Sequence, residues 1–158
     1  MNLVEELLAL VADLEREGVE YALCGGIAVA IHGHPRFTQD IDLLVNGADL
    51  ERIRMIARGR GFGLAGLPMR FGAGTPGERE IHRCTKASGS ETLTLDLLLV
   101  GHALKQVWRD RKRAAWRGQS LWVVSRDGLL KMKRLSGRAQ DLADIEALER
   151  SEGERRDG

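Results

Sequence analysis

The feature that most restricts this chain is an Asp-Ile-Asp triplet, Asp40-Ile41-Asp42, at the head of the apolar run Leu43-Leu44-Val45. Such a run reads as a β-strand, and in a strand alternate side chains share a face. Asp40 and Asp42 therefore project together while Ile41 and Leu43 point into a core. Two carboxylates side by side repel, and the arrangement is tolerated where a divalent cation neutralises them. Hard oxygen ligands suit Mg²⁺, which keeps several waters and binds through few carboxylates plus substrate phosphate. The competing reading is a charged edge strand turned to solvent.

Two other features bear on that choice. Asp96 sits inside a second apolar run, Leu93-Thr94-Leu95-Asp96-Leu97-Leu98-Leu99, where an unpaired charge is expensive to bury and a shared metal would explain it. Upstream, Val19 to Cys24 alternates, with Val19, Tyr21 and Leu23 apolar, then meets Gly25-Gly26 and the apolar stretch Ile27 to Ile31. That predicts strand, tight turn, helix. A glycine turn entering a helix exposes backbone N–H groups and lets phosphate oxygens approach closely. A glycine pair alone says little; joined to an Asp-x-Asp strand and a third strand aspartate, it becomes specific.

The remaining pattern predicts one α/β (α+β) domain over 1–150, a mixed β-sheet packed by helices with further helices at the C-terminus, and a polar, frayed tail over 151–158. Asn2 and Glu5 offer a capping-box start to a helix with Leu3, Leu7, Leu10, Val11 and Leu14 at helical spacing, ending at Gly18. Asp49 to Arg60 reads as a surface helix, and the glycine- and proline-rich stretch 61–77 as mostly loop. Glu78 to Lys86 and Glu91 to Val100 predict a hairpin with a four-residue connection. A charged helix is expected from about His102 to Trp116, then a strand over 120–125 and two helices divided by Gly137.

Composition narrows the class. A chain of 158 residues with 43% hydrophobic and 30% charged residues is an ordinary globular protein. No apolar run approaches the ~20 residues that span a bilayer, and the acidic, leucine-rich N-terminus lacks the form of a signal peptide, so the mature protein is expected to begin near Met1. Cys24 and Cys84 show neither CxxC spacing nor a disulfide pattern and are expected as buried thiols in a reducing cytoplasm. A formal net charge of +1 gives the molecule no overall bias toward nucleic acid.

With these residues in view, the run GGIAVAIHGHPRFTQDIDLLV resembles the signature of the nucleotidyltransferase fold: a glycine pair, a short helix, an Asp-x-Asp strand and a third carboxylate on a later strand. More narrowly, Arg36 to Asp42 and the later LLKMKRLSGRAQDLADIEAL resemble the bacterial branch that includes the AbiEii-type toxins. The resemblance implies a metal-dependent transfer of a nucleoside monophosphate from a nucleoside triphosphate (NTP) to an acceptor, with Mg²⁺, or Mn²⁺, as cofactor. It implies that Asp40 and Asp42 hold the metals, that Gly25 and Gly26 cradle the triphosphate, and that Asp96 binds a metal and helps activate the acceptor hydroxyl. The acceptor is left open between an RNA end, a protein and a small molecule, and a toxin role would bring an antitoxin partner. Many members of the wider fold carry Gly-Ser where this chain has Gly25-Gly26; the narrower branch often has Gly-Gly.

The resemblance also places Lys133, and the run Arg138, Asp141, Asp144, near the nucleotide. The plainer reading makes the two aspartates caps or i, i+3 partners of the arginines. Arg36 and Thr38 are candidates for phosphate or base contact, or for ordering the loop before the Asp-x-Asp strand. His32 and His34 lack further metal-ligand spacing and read as structural. The basic run Lys105, Arg109, Arg111, Lys112, Arg113 and Arg117, interleaved with Trp108 and Trp116, is an RNA-binding candidate; the plainer reading is a solvated face with tryptophans beneath it. A non-catalytic binding module that keeps the fold is the alternative to an enzyme.

Overall fold

The structure is a computed structural model that describes the backbone of residues 1–157 and the side chains of residues 1–151. The alternating run ahead of the glycine pair forms β1 (Ala22–Cys24), which pairs antiparallel with the Asp-x-Asp strand, β2 (Asp40–Val45). On its other side β2 pairs in parallel with β6 (Glu91–Leu99), and β6 pairs antiparallel with β5 (Arg79–Ser88). Beyond β1 the sheet continues through β8 (Gln119–Val123), parallel to β1, to β7 (Lys112–Trp116). Two short strands, β3 (Leu64–Ala65) and β4 (Met69–Phe71), both pair with β5. The sheet is thus mixed, in the order β3-β5-β6-β2-β1-β8-β7 with β4 also on β5. β2 lies in its interior, which rules out the solvent-facing edge strand.

The face opposite the aspartates is the apolar core. Ile41 and Leu43 of β2 stand in register with Leu95 and Leu97 of β6, and all four are fully buried with Leu7, Leu10 and Leu14 of α1 (Leu3–Arg16) and Ile53 of α3 (Leu50–Gly59). Each such side chain contributes roughly 1.5–3 kcal/mol. The expected cap is present at α1, where the Asn2 side chain accepts from the Glu5 N–H at 3.1 Å. On the aspartate side, α2 (Gly25–Ile31) packs on β1, β2 and α5 (Arg126–Ser136), and α5 packs on α6 (Ala139–Asp157). α5 is capped by Ser125, which accepts from the Gly128 N–H, and ends at Gly137 with φ +65°. The expected tail, 151–158, falls for the most part outside the described residues; the helix is assigned through Asp157.

Three expectations differ from the structure. The charged helix over 102–116 is instead a 3₁₀ turn, a short α4 (Lys105–Arg109) and strand β7. Arg117 and Gly118 both adopt positive φ, +49° and +76°, the geometry of a two-residue hairpin turn whose twist matches its strands. That turn pairs Lys112–Trp116 with β8 and overrides helical propensity. The stretch 61–77 is not all loop, since β3 and β4 form there by pairing with β5. The β5–β6 connection has two residues rather than four, because Gly89 takes φ +63° and lets Ser88 pair directly with Glu91. Among the described residues no helix is long and apolar enough to cross a membrane.

Candidate active site

The parallel pairing of β2 with β6 puts Asp42 directly opposite Asp96, with Asp40 one repeat earlier on the same face opposite Thr94. Asp42 and Asp96 line a cavity of about 200 Å³ between the sheet and α5. Burial, and then the charges of Asp96 and Asp40, push the Asp42 carboxyl up to about 7. Burial and Asp96 also raise Asp40. The pair is therefore short of positive charge. Cys24 closes β1 beside them, and burial holds its thiol well above the usual range, so it is an inert neighbour.

The glycine pair is explained by the same geometry. Gly25 has φ +65°, and a Cβ there would stand 2.0 Å from Oδ2 of Asp42. A Cβ on Gly26 would stand 3.0 Å from both Nη2 of Arg36 and Oγ1 of Thr38. One glycine makes room for the carboxylate and the other for the loop that precedes β2. The structure thus brings Gly25, Gly26, Arg36, Thr38, Asp40, Asp42 and Asp96 into one neighbourhood. Of these, Gly25, Asp42 and Asp96 line the cavity, and Gly26, Arg36, Thr38 and Asp40 do not.

Arg83, which the sequence did not single out, lies opposite Asp96 across the β5–β6 ladder. Its Nε and Nη2 donate to the two Asp96 carboxylate oxygens at 2.8 and 3.0 Å. Among the described residues no three His, Cys, Asp or Glu side chains converge as a ready metal centre; Asp96 is occupied by the guanidinium instead. The donors nonetheless fit a hard divalent cation: they are all carboxylate oxygens, two on the same strand, and a raised pKa is what missing positive charge produces. A cation binding all three aspartates would have to displace Arg83 from Asp96.

Lys133 is buried at 4% exposure, with Nζ 2.9 Å from Asp144 and 3.3 Å from Asp141. Arg36 donates to both oxygens of Asp144 at 2.9 and 3.0 Å. Asp141 accepts from the Arg138 backbone N–H at 3.1 Å and from its Nε at 2.9 Å. Burial opposes ionisation of Asp141, but the Arg138 and Ser136 hydrogen bonds and the Lys133 charge outweigh it and hold the carboxyl at about 2. These five residues form a clamp that ties the loop before β2 and α5 to the first turns of α6. Only Lys133, Arg138 and Asp141 of the clamp also line the cavity.

The other candidates have local partners. His32 contacts the Val124 carbonyl and His34 the Ser151 hydroxyl. In the basic run, Arg111 lies over Trp108 at 3.9 Å and Trp122 at 5.1 Å, and pairs with Glu20. Arg113 lies over Trp122 and pairs with Glu15. These guanidiniums pack on the indoles of α4 and β8, and their charge is partly used within the chain.

No protein-family model matches the chain, and no curated protein does. Solved structures do resemble it. The lincomycin-bound lincosamide antibiotic adenylyltransferase LnuA superimposes with a TM-score of 0.64 at 16% identity, over 92% of this chain and 95% of that one. The antibiotic-resistance factor ANT(2")-Ia, in complex with adenylyl-2"-tobramycin, gives 0.59 at 13% identity over 97% and 92%. A nucleotidyltransferase-class protein of Thermotoga maritima gives 0.54 at 15% identity over 97% and 90%. Likeness at this level shows the fold, and the fold is that of the nucleotidyltransferases.

Proposed function

We propose that this chain is a nucleotidyltransferase that moves a nucleoside monophosphate from an NTP to an acceptor hydroxyl and releases pyrophosphate. The observation that carries the reading is the in-register pair of Asp42 and Asp96, short of positive charge, on the floor of a cavity that opens beside Gly25. Asp40 and Asp42 would hold Mg²⁺ or Mn²⁺, with Asp96 as a further ligand. When bound, the cation neutralises these carboxylates and offsets the charge of the triphosphate. Gly25 leaves the chain without a side chain where the triphosphate approaches, and Arg138, beside the aspartates, adds positive charge. Asp96 receives the proton of the acceptor hydroxyl as that oxygen bonds to the α-phosphorus and the bond to pyrophosphate breaks. Catalysis on this reading is mainly positioning and charge stabilisation.

Arg36 serves this site through the clamp, its charge committed to buried Asp144, whereas Lys133 and Arg138 pair with clamp carboxylates and also line the cavity. The antibiotic-bound fold neighbours support a small-molecule acceptor. The narrower reading, a toxin acting on RNA with an antitoxin partner, has its support in the sequence resemblance at 36–42 and 129–148. A cytoplasmic location is supported by two free, buried cysteines. One observation favours the non-catalytic alternative: both oxygens of Asp96 are already held by Arg83. Incubation with each labelled NTP, Mg²⁺ and candidate acceptors decides between them. Transfer of label that Asp40→Asn abolishes supports the enzyme; failure of the purified protein to bind any NTP with Mg²⁺ refutes it.

A further inference from the structure

The cavity runs past the carboxylates, and its far half has a chemistry of its own. Arg83, Ile81 and Arg79 alternate along one face of β5, so Arg79 stands about 13 Å along the strand from Arg83. Between them the floor is Ile81 beside its β6 partner Leu98, with Met69 at the side and Leu129 and Met132 of α5 above. The three arginines that line this cavity are not equivalent. Arg83 is paired with Asp96 and Arg138 with Asp141. Arg79 makes no ion pair among the described residues: its Nε donates to the Gly77 carbonyl at 3.0 Å, and its guanidinium lies over Phe71 at 5.8 Å. The neighbouring Glu80 is taken up by Arg70 and His82.

An in-line displacement puts the attacking hydroxyl on the opposite side of the α-phosphorus from the leaving pyrophosphate. With the triphosphate beside Gly25 and Asp42, the attacking side is the one beyond Asp96, toward β5 and β4. Resting on the reading of the site as a nucleotidyltransferase, we propose that this half of the cavity binds the acceptor and selects an amphipathic hydroxy acid. The hydroxyl sits at Asp96, the apolar body lies along Ile81 and Leu98, and the anionic group reaches Arg79. A partly buried cation without a counter-ion, at the end of an apolar wall, is a place for an anion. Polycationic acceptors do not fit, because among the described residues the acidic ones lining the cavity are Asp42, Asp96 and the clamped Asp141.

Calorimetry on the full chain tests this in two stages. The first titrates α,β-methylene analogues of the four NTPs with Mg²⁺. The second titrates, in the presence of the analogue that binds, three probes of equal length and different charge: 8-hydroxyoctanoate, octane-1,8-diol and 8-aminooctan-1-ol. The acid should bind at least about tenfold more tightly than the diol, and the amino alcohol more weakly than either. Arg79→Ala should abolish the preference for the acid while leaving the diol and the nucleotide analogue unchanged, Arg79→Lys should keep part of it, and Arg79→Glu should shift it toward the amino alcohol. Equal binding of acid and diol to the wild type overturns the acceptor assignment alone. So does an Arg79→Ala variant that loses the nucleotide analogue, which would make this half a nucleotide subsite. Absence of analogue binding at the first stage overturns the assignment together with the function on which it rests.

Discussion

Asp42→Asn should make the protein more stable in mildly alkaline solution while depriving it of divalent-metal binding. The Asp42 carboxyl is raised from 3.8 to about 7, by burial first and then by Asp96 and Asp40. Between those two values the folded protein keeps a proton that the unfolded chain gives up, so stability falls as pH rises through the interval and the full penalty stands above it. A difference of that size corresponds to about 4 kcal/mol, of which about half is expected in the variant because the shift is shared with the coupled carboxylates Asp96 and Asp40. Asparagine fills the same volume without the charge, and Asp42 makes no side-chain hydrogen bond among the described residues that the change would break. Urea unfolding with EDTA, followed by the fluorescence of the tryptophans, should show no gain for the variant near pH 4 and a gain of about 2 kcal/mol at pH 8. Adding Mg²⁺ at pH 8 should raise the stability of the wild type and leave the variant where it is. A gain of equal size at both pH values, or a variant less stable than the wild type at pH 8, refutes the account of Asp42 as an uncompensated charge.

The clamp gives the opposite sign: Lys133→Met should cost about 3 kcal/mol at pH 7 in urea unfolding, because it removes the buried ammonium between Asp141 and Asp144. Asp141 titrates at about 2 in the folded protein, so its contribution holds above the ordinary carboxylate range and is lost as pH falls toward that value; the gap between wild type and variant should narrow in acid. Gly25→Ala should lower the melting temperature and eliminate NTP binding, since its Cβ would meet Asp42 at 2.0 Å on a backbone with φ +65°; the backbone strain alone costs about 1–2 kcal/mol. Arg117→Asn should stabilise the β7–β8 hairpin by about 0.5 kcal/mol in thermal unfolding, because asparagine tolerates the positive φ that Arg117 now adopts.

The carboxylates were legible because period-two alternation is local: Asp40 and Asp42 share a face whatever surrounds them. That Asp42 meets Asp96 is a matter of parallel pairing between strands far apart in the chain, and no local pattern encodes such a register. Arg83 shows how a small misreading of a turn hides a partner. A four-residue connection over 87–90 sets Lys86 opposite Glu91 and leaves Arg83 facing Thr94; the two-residue turn at Gly89-Ser90 slides the ladder so that Arg83 faces Asp96. The face is the same in both registers, so alternation does not distinguish them, and only the φ of Gly89 does. The helix expected over 102–116 failed for a related reason, since the arginines and lysines there suit either a helix surface or a strand, and the Arg117-Gly118 turn decides. Lys133 stood out in the sequence as a cation, but its burial against two aspartates comes from the packing of α6 on α5, which no residue near it announces.

The two clusters of carboxylates in this fold are treated in opposite ways, and the contrast bears on the site. Asp141 and Asp144 are met by Lys133, Arg138 and Arg36 and ionise readily, with Asp141 at about 2 and Asp144 also lowered. Asp40 and Asp42, on the neighbouring sheet face, are left with raised pKa values although Lys133 and Arg138 line the same cavity and are close enough to pull Asp42 downward. The difference lies in geometry, because Lys133 has its ammonium fixed against Asp144 and Asp141 and is not free to turn toward β2. A chain that only needed a neutral interior could have spent that lysine on Asp42, or carried a leucine there in place of the carboxylate, as Ile41 and Leu43 show on the other face. Among the described residues Arg83 is the cation that pairs directly with a sheet aspartate, and its side chain is 46% exposed, so solvent or an anionic ligand can draw it off Asp96. The clamp thus does two things at once: it fastens α6 to the domain, and by occupying Lys133 it preserves an uncompensated negative charge beside Gly25.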